Sequence, residues 1–200
     1  MSAILHRHPR IAELRNLLSA HPEWFGAWNG TFYRFQTVDF PASKDVLSGE
    51  GGRRRGGRWN PPGLATLYGS TTDTSALEEC KANDRYYGVE TKGPRLLVAI
   101  EGQLTRVLDL TSPATRRALN VTLTELGSED WRKLLAVGKE SFTQALGRAV
   151  ATVGGSGLLA RSTAVPRGVN VVVFPDVSMS DKLEVVDGKT LDKLIGPARL

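Results

Sequence analysis

The sequence predicts one domain of the α+β class. Its 200 residues can bury a substantial core without disulfide bonds, and 40% hydrophobic with 24% charged residues is an ordinary globular composition. Helical and strand-like hydrophobic patterns follow one another without a regular strand–helix–strand order. A doubly wound sheet requires that order, so we expect mixed sheets with flanking helices instead.

The first half of the chain is predicted to start with a helix over residues 10–20, because Ile11, Leu14, Leu17 and Leu18 share one helical face. Thr72 or Asp73 is expected to cap a second helix over about residues 74–84. The intervening and following segments alternate or are rich in aromatic and β-branched residues, which predicts strands. These strands cover residues 31–36, 65–70, 95–101 and 106–110.

The second half is predicted to begin with a short helix from Ser112-Pro113 to near Asn120, because Pro favours the first helical position after an N-cap serine. Ser128 is expected to cap the next helix, which extends through Val137. Further helices are predicted over residues 140–153 and from about residue 190, and strands over residues 158–160, 169–174 and 183–186.

Residues 49–63, here called the Gly/Arg segment, are the most unusual part of the chain, with six Gly and four Arg in fifteen positions. Gly lets a backbone approach a ligand closely, and Arg offers a planar fork to phosphate oxygens. The segment lacks the Lys-Ser/Thr ending of a P-loop, and Pro61 and Pro62 prevent the helix that follows a dinucleotide-binding GxGxxG. A pyrophosphate-bearing ligand fits this composition; a flexible, solvated basic loop is the alternative.

The net charge indicates the kind of partner, and the cysteine content indicates the compartment. The net charge is +5, with much of the excess in residues 53–58, which is compatible with a polyanionic ligand or an acidic protein partner. The single cysteine, Cys80, excludes an internal disulfide and fits a reducing compartment. The N-terminus does not resemble a signal peptide and no apolar run is long enough to cross a membrane, so we expect a cytoplasmic protein.

The three histidines, His6, His8 and His21, all lie in the first 21 residues. An active site in the rest of the chain therefore has no histidine base, no Ser–His pair and no His-rich zinc site, and we expect no metal. Such a site must be built from Arg, Glu, Asp, Tyr, Ser and backbone groups. Cleavage of a glycosidic bond is one reaction that suits these groups, because a carboxylate can stabilise an oxocarbenium-like transition state.

Several motifs, taken in order, resemble RES-domain proteins, a family named for its Arg, Glu and Ser. The matching stretches are Tyr33-Arg34, Gly56-Gly57-Arg58-Trp59-Asn60-Pro61-Pro62-Gly63, Leu67-Tyr68, Ala76-Leu77-Glu78-Glu79 and Gly157-Leu158-Leu159-Ala160-Arg161-Ser162. The resemblance covers residues 31 to about 175. It suggests a RES-like domain over residues 31–200, preceded by an N-terminal helical extension over residues 1–30.

The resemblance implies a fold related to ADP-ribosyltransferases and a toxin of a bacterial toxin–antitoxin pair. The implied partner is an Xre-type antitoxin with a helix-turn-helix, and the implied substrate is NAD, cleaved at its nicotinamide–ribose bond. The acceptor of the ADP-ribose is left open among water, phosphate and a cellular protein. No contact with a membrane or direct contact with nucleic acid is expected.

The same resemblance assigns roles to residues. Glu79 and Arg58 would be catalytic, with Arg34 and Arg58 on the pyrophosphate. Tyr68 would pack against a ring of the ligand, and Ser162 would hold the nicotinamide amide or a ribose hydroxyl. Trp59 and Asn60 would complete the NAD site, although burial in the core is the alternative for Trp59. Glu78 and Glu79 point about 100° apart on a helix, so only one can face the site.

A basic nucleic-acid-binding module is the rival interpretation. The run Arg53-Arg54-Arg55 near Trp59 has the charge and the aromatic that single-strand binding uses. The rest of the chain has no comparable basic stripe, since 26 Lys and Arg face 21 Asp and Glu.

Overall fold

In the computed structural model, which describes residues 5–88, 94–177 and 180–195, six strands form one mixed sheet in the order β1-β2-β5-β4-β3-β6. An additional β1–β3 pairing closes five of them into a ring. The β3–β4 pair is parallel and the other pairs are antiparallel. The strands are β1 Phe25–Thr37, β2 Leu67–Ser70, β3 Arg95–Asp109, β4 Gly157–Arg161, β5 Val169–Val173 and β6 Lys182–Val185.

The helices flank this sheet, and the first of them is followed by a 3₁₀ turn over Pro22–Trp24. Their bounds in the described residues are α1 Ile11–Ala20, α2 Ser43–Leu47, α3 Glu50–Arg55, α4 Asp73–Tyr86, α5 Pro113–Ala118, α6 Leu123–Ser128, α7 Trp131–Ala136, α8 Phe142–Thr152 and α9 Gly188–Ile195. The α+β prediction is therefore confirmed. No helix in the described ranges is both long and apolar enough to span a bilayer.

The sheet separates two apolar cores. Val171 and Val173 of β5 contact one core together with Phe32 and Ile100, whereas Val172 contacts the other core beneath the helices. Successive side chains of a strand point to opposite faces, so β5 is buried on both sides and consists almost entirely of valine. The single polar residue within that strand, Asn170, therefore stands out.

The segment before residue 31 is part of the same body. Leu14 and Leu18 of α1 are fully buried in the core that α8 also lines. β1 already begins at Phe25 and pairs with Leu108 of β3. Residues 1–4 of the predicted extension and residues 196–200 of the predicted main domain lie outside the described residues.

Helix caps follow the sequence in two places. The Thr72 side chain accepts from the Ser75 N–H and so caps α4, and Ser112 accepts from Thr115 at the start of α5, as predicted. The prediction for Ser128 was wrong. Ser128 ends α6, and α7 is capped instead by Asp130, whose side chain accepts from the Lys133 N–H.

Two further expectations were wrong. Residues 95–101 and 106–110 are one strand, because Gly102 and Gln103 pair with Gly30 and Asn29 of β1 and the ladder continues through them. The Gly/Arg segment is not simply a loop, since residues 50–55 form α3. That helix ends at Gly56, whose φ of +72° is readily adopted only by glycine.

Candidate active site

A cleft of about 250 Å³ opens between β1, β2, β5 and α4. Arg34 of β1, Tyr68 of β2, Glu79 and Asn83 of α4, and Asn170 of β5 contribute to its walls. The structure thus brings together Arg34, Tyr68 and Glu79, which are well separated in sequence.

Glu79 is held through one of its two carboxylate oxygens. Ser162 Oγ and Asn170 Nδ2 donate to Glu79 Oε1 at 2.6 and 2.7 Å. Within the described part of the chain, no residue donates to Glu79 Oε2, so that oxygen is available to a ligand in the cleft. The neighbouring Glu78 instead pairs with Lys81 at 2.8 Å on the helix surface. Of the two adjacent carboxylates, only Glu79 faces the cleft.

The groups that hold Glu79 are themselves fixed. Ser70 Oγ donates to Asn170 Oδ1 at 2.8 Å, so Asn170 cannot rotate freely. Ser162 Oγ accepts from the backbone N–H groups of Ala164 and Val165 at 3.0 and 2.9 Å. Ser162 therefore orders the turn after β4 and anchors Glu79 with the same hydroxyl.

Arg34 is half-buried in the cleft wall and has no counter-ion among the described residues. Its Nη1 donates to the Val46 carbonyl at 3.2 Å and its Nη2 to Gln36 Oε1 at 2.9 Å. Its Nε is buried and has no hydrogen-bond partner in the described part of the chain. Burial lowers the pKa of Arg34 to about 10, so the guanidinium is still charged at pH 7. A partly buried, incompletely paired cation in a cleft wall favours an anionic ligand.

Arg58 lies beside the cleft, toward α6 and α7, rather than in the walls described above. Its Nη1 donates to the carbonyls of Leu126 and Glu129 at 3.3 and 3.5 Å. Burial lowers the pKa of Arg58, and the nearby charge of Arg132 lowers it further, while the Glu79 carboxylate opposes both. Arg58 is thus close enough to Glu79 for the two charges to interact.

Tyr68, Trp59 and Asn60 form a buried network. The Tyr68 hydroxyl donates to Asn60 Oδ1 at 2.6 Å and accepts from the Trp59 backbone N–H at 3.0 Å. Asn60 Nδ2 donates to three backbone carbonyls, those of Gly52, Pro61 and Leu64. Burial raises the pKa of the Tyr68 hydroxyl, which therefore stays protonated.

This network defines the contacts that Trp59 and Asn60 make within the protein. Trp59 is 4% exposed and packs in the core, and Asn60 is fully buried with its amide in bonds within the protein. Both side chains shape the Gly/Arg segment instead of reaching the cleft. Only the ring of Tyr68 remains available to a ligand, because its hydroxyl is already bonded.

The glycines of this segment allow close packing inside the protein. A side chain at Gly57 would overlap the Tyr68 ring, and one at Gly147 of α8 would overlap the Trp59 carbonyl. Gln144 of α8 donates to the Gly57 carbonyl at 3.0 Å, which fixes the segment on the helix. The absence of a side chain at Gly57 therefore allows close packing against Tyr68.

We expect Tyr68→Phe to destabilise the protein by about 2 kcal/mol, because two buried partners lose their hydrogen bond. Chemical denaturation would measure the free energy of unfolding. Tyr87→Phe is the matched control, since Tyr87 is 57% exposed, and its effect should stay within about 0.5 kcal/mol. Equal stability of both variants would show that the network does not hold the segment.

Sequence reasoning missed Asn170, Ser70 and Arg95. Asn170 could have been found, because a lone polar residue within a run of valines in a buried strand needs a hydrogen-bonding reason. Arg95 at the start of β3 lines the cleft, contacts Cys80 Sγ and pairs with Asp84 at 2.7 Å. No signal in the sequence links Arg95 to α4.

The arginine run of α3 is largely paired. Arg53 bonds Glu50 at 3.0 Å and Asp176 at 2.5 Å, and Arg54 bonds Glu50 at 2.8 Å. These ion pairs reduce the positive potential that a nucleic-acid surface would require.

Among the described residues, no group of three His, Cys, Asp or Glu side chains could hold a metal ion.

Fold and site together define a class: an α+β protein with a carboxylate anchored by Ser and Asn in a cleft flanked by incompletely paired arginines. The chain belongs to the RES domain family, whose model matches residues 31–192.

Curated relatives share part of this chain. It is 34% identical over 140 residues to the NAD(+) phosphorylase MbcT of Mycobacterium tuberculosis, covering 66% of this chain and 72% of the relative. The same figures hold for the NAD(+) phosphorylase MbcT of Mycobacterium bovis.

A solved structure shares the fold. A chain in the crystal structure of the M. tuberculosis MbcT–MbcA toxin–antitoxin complex superimposes with a TM-score of 0.63. The alignment covers 91% of this chain and 96% of that chain, at 23% identity. At that identity the likeness establishes the fold.

Proposed function

We propose that the cleft binds NAD and cleaves its nicotinamide–ribose bond. The observation that supports this most strongly is Glu79, with Oε1 fixed by Ser162 and Asn170 and Oε2 available to a ligand. A fixed carboxylate can stabilise the positive charge that develops on the ribose as the bond breaks. The name of the M. tuberculosis and M. bovis relatives, NAD(+) phosphorylase, supports the same substrate.

In this reaction the C1′–N bond breaks and its electron pair stays with the nicotinamide nitrogen. Nicotinamide leaves a cationic ring as a neutral molecule, so no general acid is required at the leaving group. A reaction without a general acid suits this cleft, because Glu79 is its anchored carboxylate and none of the histidines in the described residues lines it. Glu79 Oε2 would hydrogen-bond the nicotinamide ribose and face the developing charge.

The arginines would hold phosphate oxygens, those of NAD at Arg34 and those of NAD or of an acceptor phosphate at Arg58. Arg34 lines the cleft while its two Nη atoms bond Val46 and Gln36, and Arg58 retains Nη2 beside two carbonyl bonds through Nη1. A charge-assisted hydrogen bond from each would contribute about 1.5–3 kcal/mol. The ring of Tyr68 would pack against a ring of the ligand, while its hydroxyl stays bonded to Asn60.

Product analysis tests this proposal. The purified protein is incubated with NAD, with and without inorganic phosphate and with a cell lysate, and products are identified by mass spectrometry. We expect nicotinamide together with ADP-ribose 1-phosphate when phosphate is present. ADP-ribose on a lysate protein would instead identify a protein-modifying transferase. Intact NAD in all three reactions would refute the proposal.

We also propose that the chain is a cytoplasmic toxin neutralised by an Xre-type antitoxin. The support is its likeness to a chain of the MbcT–MbcA toxin–antitoxin complex. Induced expression should arrest growth while cellular NAD falls, and co-expression of the antitoxin should restore growth. Arrest with unchanged NAD would point to protein modification or nucleic-acid binding.

Asn170→Ala tests how Glu79 is positioned. We expect kcat to fall at least about 10-fold while KM for NAD changes little, because a bond to a charged group worth about 1.5–3 kcal/mol is lost. Asn29→Ala, an exposed site on β1, is the matched control. An Asn170→Ala protein that folds and retains wild-type kcat would show that Asn170 has no part in positioning the carboxylate.

A further inference from the structure

Arg132, on the first turn of α7, is held at the edge of the cleft. Its Nη2 donates to Asn83 Oδ1 at 2.8 Å, and Asn83 lines the cleft. Its guanidinium lies over the rings of Tyr86 and Trp131, 4.4 Å from each centroid. Its Nε is buried and, within the described ranges, has no hydrogen-bond partner. Ring stacking and one hydrogen bond to the Asn83 side chain thus fix the Arg132 guanidinium, which keeps unused N–H donors.

Arg58 approaches the same corner. The carbonyls that it contacts, those of Leu126 and Glu129, belong to the segment that leads directly into α7. In the described part of the chain, neither Arg58 nor Arg132 forms an ion pair with a carboxylate. Two like charges held close together cost free energy, and an anion placed between them offsets that cost.

Asp130 is the nearby carboxylate that could compete with such an anion. Its two oxygens accept from the Tyr86 hydroxyl at 3.1 Å each, and one oxygen lies 3.6 Å from Lys133 Nζ. Asp130 also caps α7 through the Lys133 N–H. Its carboxylate is thus hydrogen-bonded to Tyr86 and to the α7 backbone, and its charge also attracts Arg58 without forming a direct ion pair.

We propose that Arg58 and Arg132 form the binding site of the acceptor phosphate. The proposal rests on the proposed function and names the second substrate as inorganic phosphate. The two guanidiniums lie on the α6–α7 side of Glu79, whereas Arg34 enters the cleft from β1 and serves the pyrophosphate of NAD. A planar guanidinium pair suits the oxygens of phosphate.

The step balances as follows. The ribose C1′–N bond breaks with its electron pair on nicotinamide, and an oxygen of hydrogen phosphate forms the new C1′–O bond. The phosphate proton passes to solvent, and the products are nicotinamide and ADP-ribose 1-phosphate. Arg58 and Arg132 hold the nucleophile next to the carbon that Glu79 stabilises.

Steady-state kinetics of Arg132→Gln test the site. We expect KM for inorganic phosphate to rise at least about 10-fold, with KM for NAD and the rate of nicotinamide release into water unchanged. Arg117→Gln is the control, because it makes the same substitution at an exposed arginine of α5. Its KM for phosphate should equal that of wild type.

The outcomes separate this inference from the proposed function. If wild type consumes NAD but yields only ADP-ribose in the presence of phosphate, the inference fails and NAD cleavage stands. If Arg132→Gln raises KM for NAD instead, the arginine pair binds the phosphates of NAD and the inference is overturned. An unchanged KM for phosphate in Arg132→Gln would likewise refute it. A wild-type protein inert toward NAD would refute the proposed function itself.

Discussion

Glu79→Gln should lower the rate of nicotinamide release at least about 100-fold while leaving the fold intact. The variant keeps the size of the side chain and can still accept from Ser162 and Asn170, but it loses the charge that faces the ribose. Removing one preorganised electrostatic group from an active site commonly costs 10²–10³ in kcat. Nicotinamide release, followed by chromatography, measures the effect.

Glu78→Gln is the matched control. Glu78 is adjacent in sequence, pairs with Lys81 at 2.8 Å and faces away from the cleft. Its variant should have wild-type activity, and both variants should unfold at the same denaturant concentration as wild type within error. Equal activity of the two variants, or loss confined to Glu78→Gln, would remove Glu79 from the reaction.

Arg58→Lys should lower kcat/KM for NAD cleavage about 10- to 100-fold, although the positive charge is kept. Arg58 must bond two carbonyls through Nη1 and still offer a planar fork to phosphate oxygens, and an ammonium group has neither the reach nor the geometry for both. The expected loss corresponds to one or two charge-assisted hydrogen bonds. Initial rates at several NAD and phosphate concentrations measure it.

Arg54→Lys is the control for Arg58→Lys. The Arg54 side chain is 72% exposed and pairs with Glu50, an interaction that lysine can also make. The substitution should be nearly silent, and any effect should shrink as salt rises because exposed charges are screened. If Arg58→Lys were active and Arg54→Lys inactive, the phosphate contacts would have to come from α3 and not from Arg58.

Local patterns predicted most of the fold. The Thr72 cap, the amphipathic α1 and the valine-rich β5 each depend on neighbouring residues alone, and the structure contains all of them. The errors arose where tertiary pairing overrode local composition. The sequence predicted two strands over residues 95–101 and 106–110, yet pairing of Gly102 with Gly30 of β1 supplies the backbone hydrogen bonds that keep β3 continuous.

The candidate site was likewise predicted only in part from the sequence. The resemblance to the RES family indicated Arg34, Tyr68, Glu79 and Ser162, and the contacts of these four side chains fall within one cleft and its surroundings. The partner Asn170 lies 91 residues from Glu79, so no local pattern can connect them. Proximity of Arg132 to Arg58 likewise depends on how α6 and α7 pack, which periodicity does not specify.

The Gly/Arg segment shows why composition can mislead about a ligand. A segment rich in glycine with a buried asparagine has the same composition whether it admits a ligand or packs against the rest of the protein. Here Gln144 and Tyr68 occupy the backbone groups of Gly57 and Trp59 from inside. Only Arg58, at the end of that packed turn, extends toward α6 and α7 beside the cleft.

A crystal structure of the Glu79→Gln variant with NAD tests the central claim most directly. The account predicts NAD in the cleft, with its nicotinamide ribose within hydrogen-bond distance of residue 79, its pyrophosphate on Arg34 and a ring against Tyr68. NAD bound elsewhere, or an empty cleft at NAD concentrations well above the KM of wild type, would contradict it.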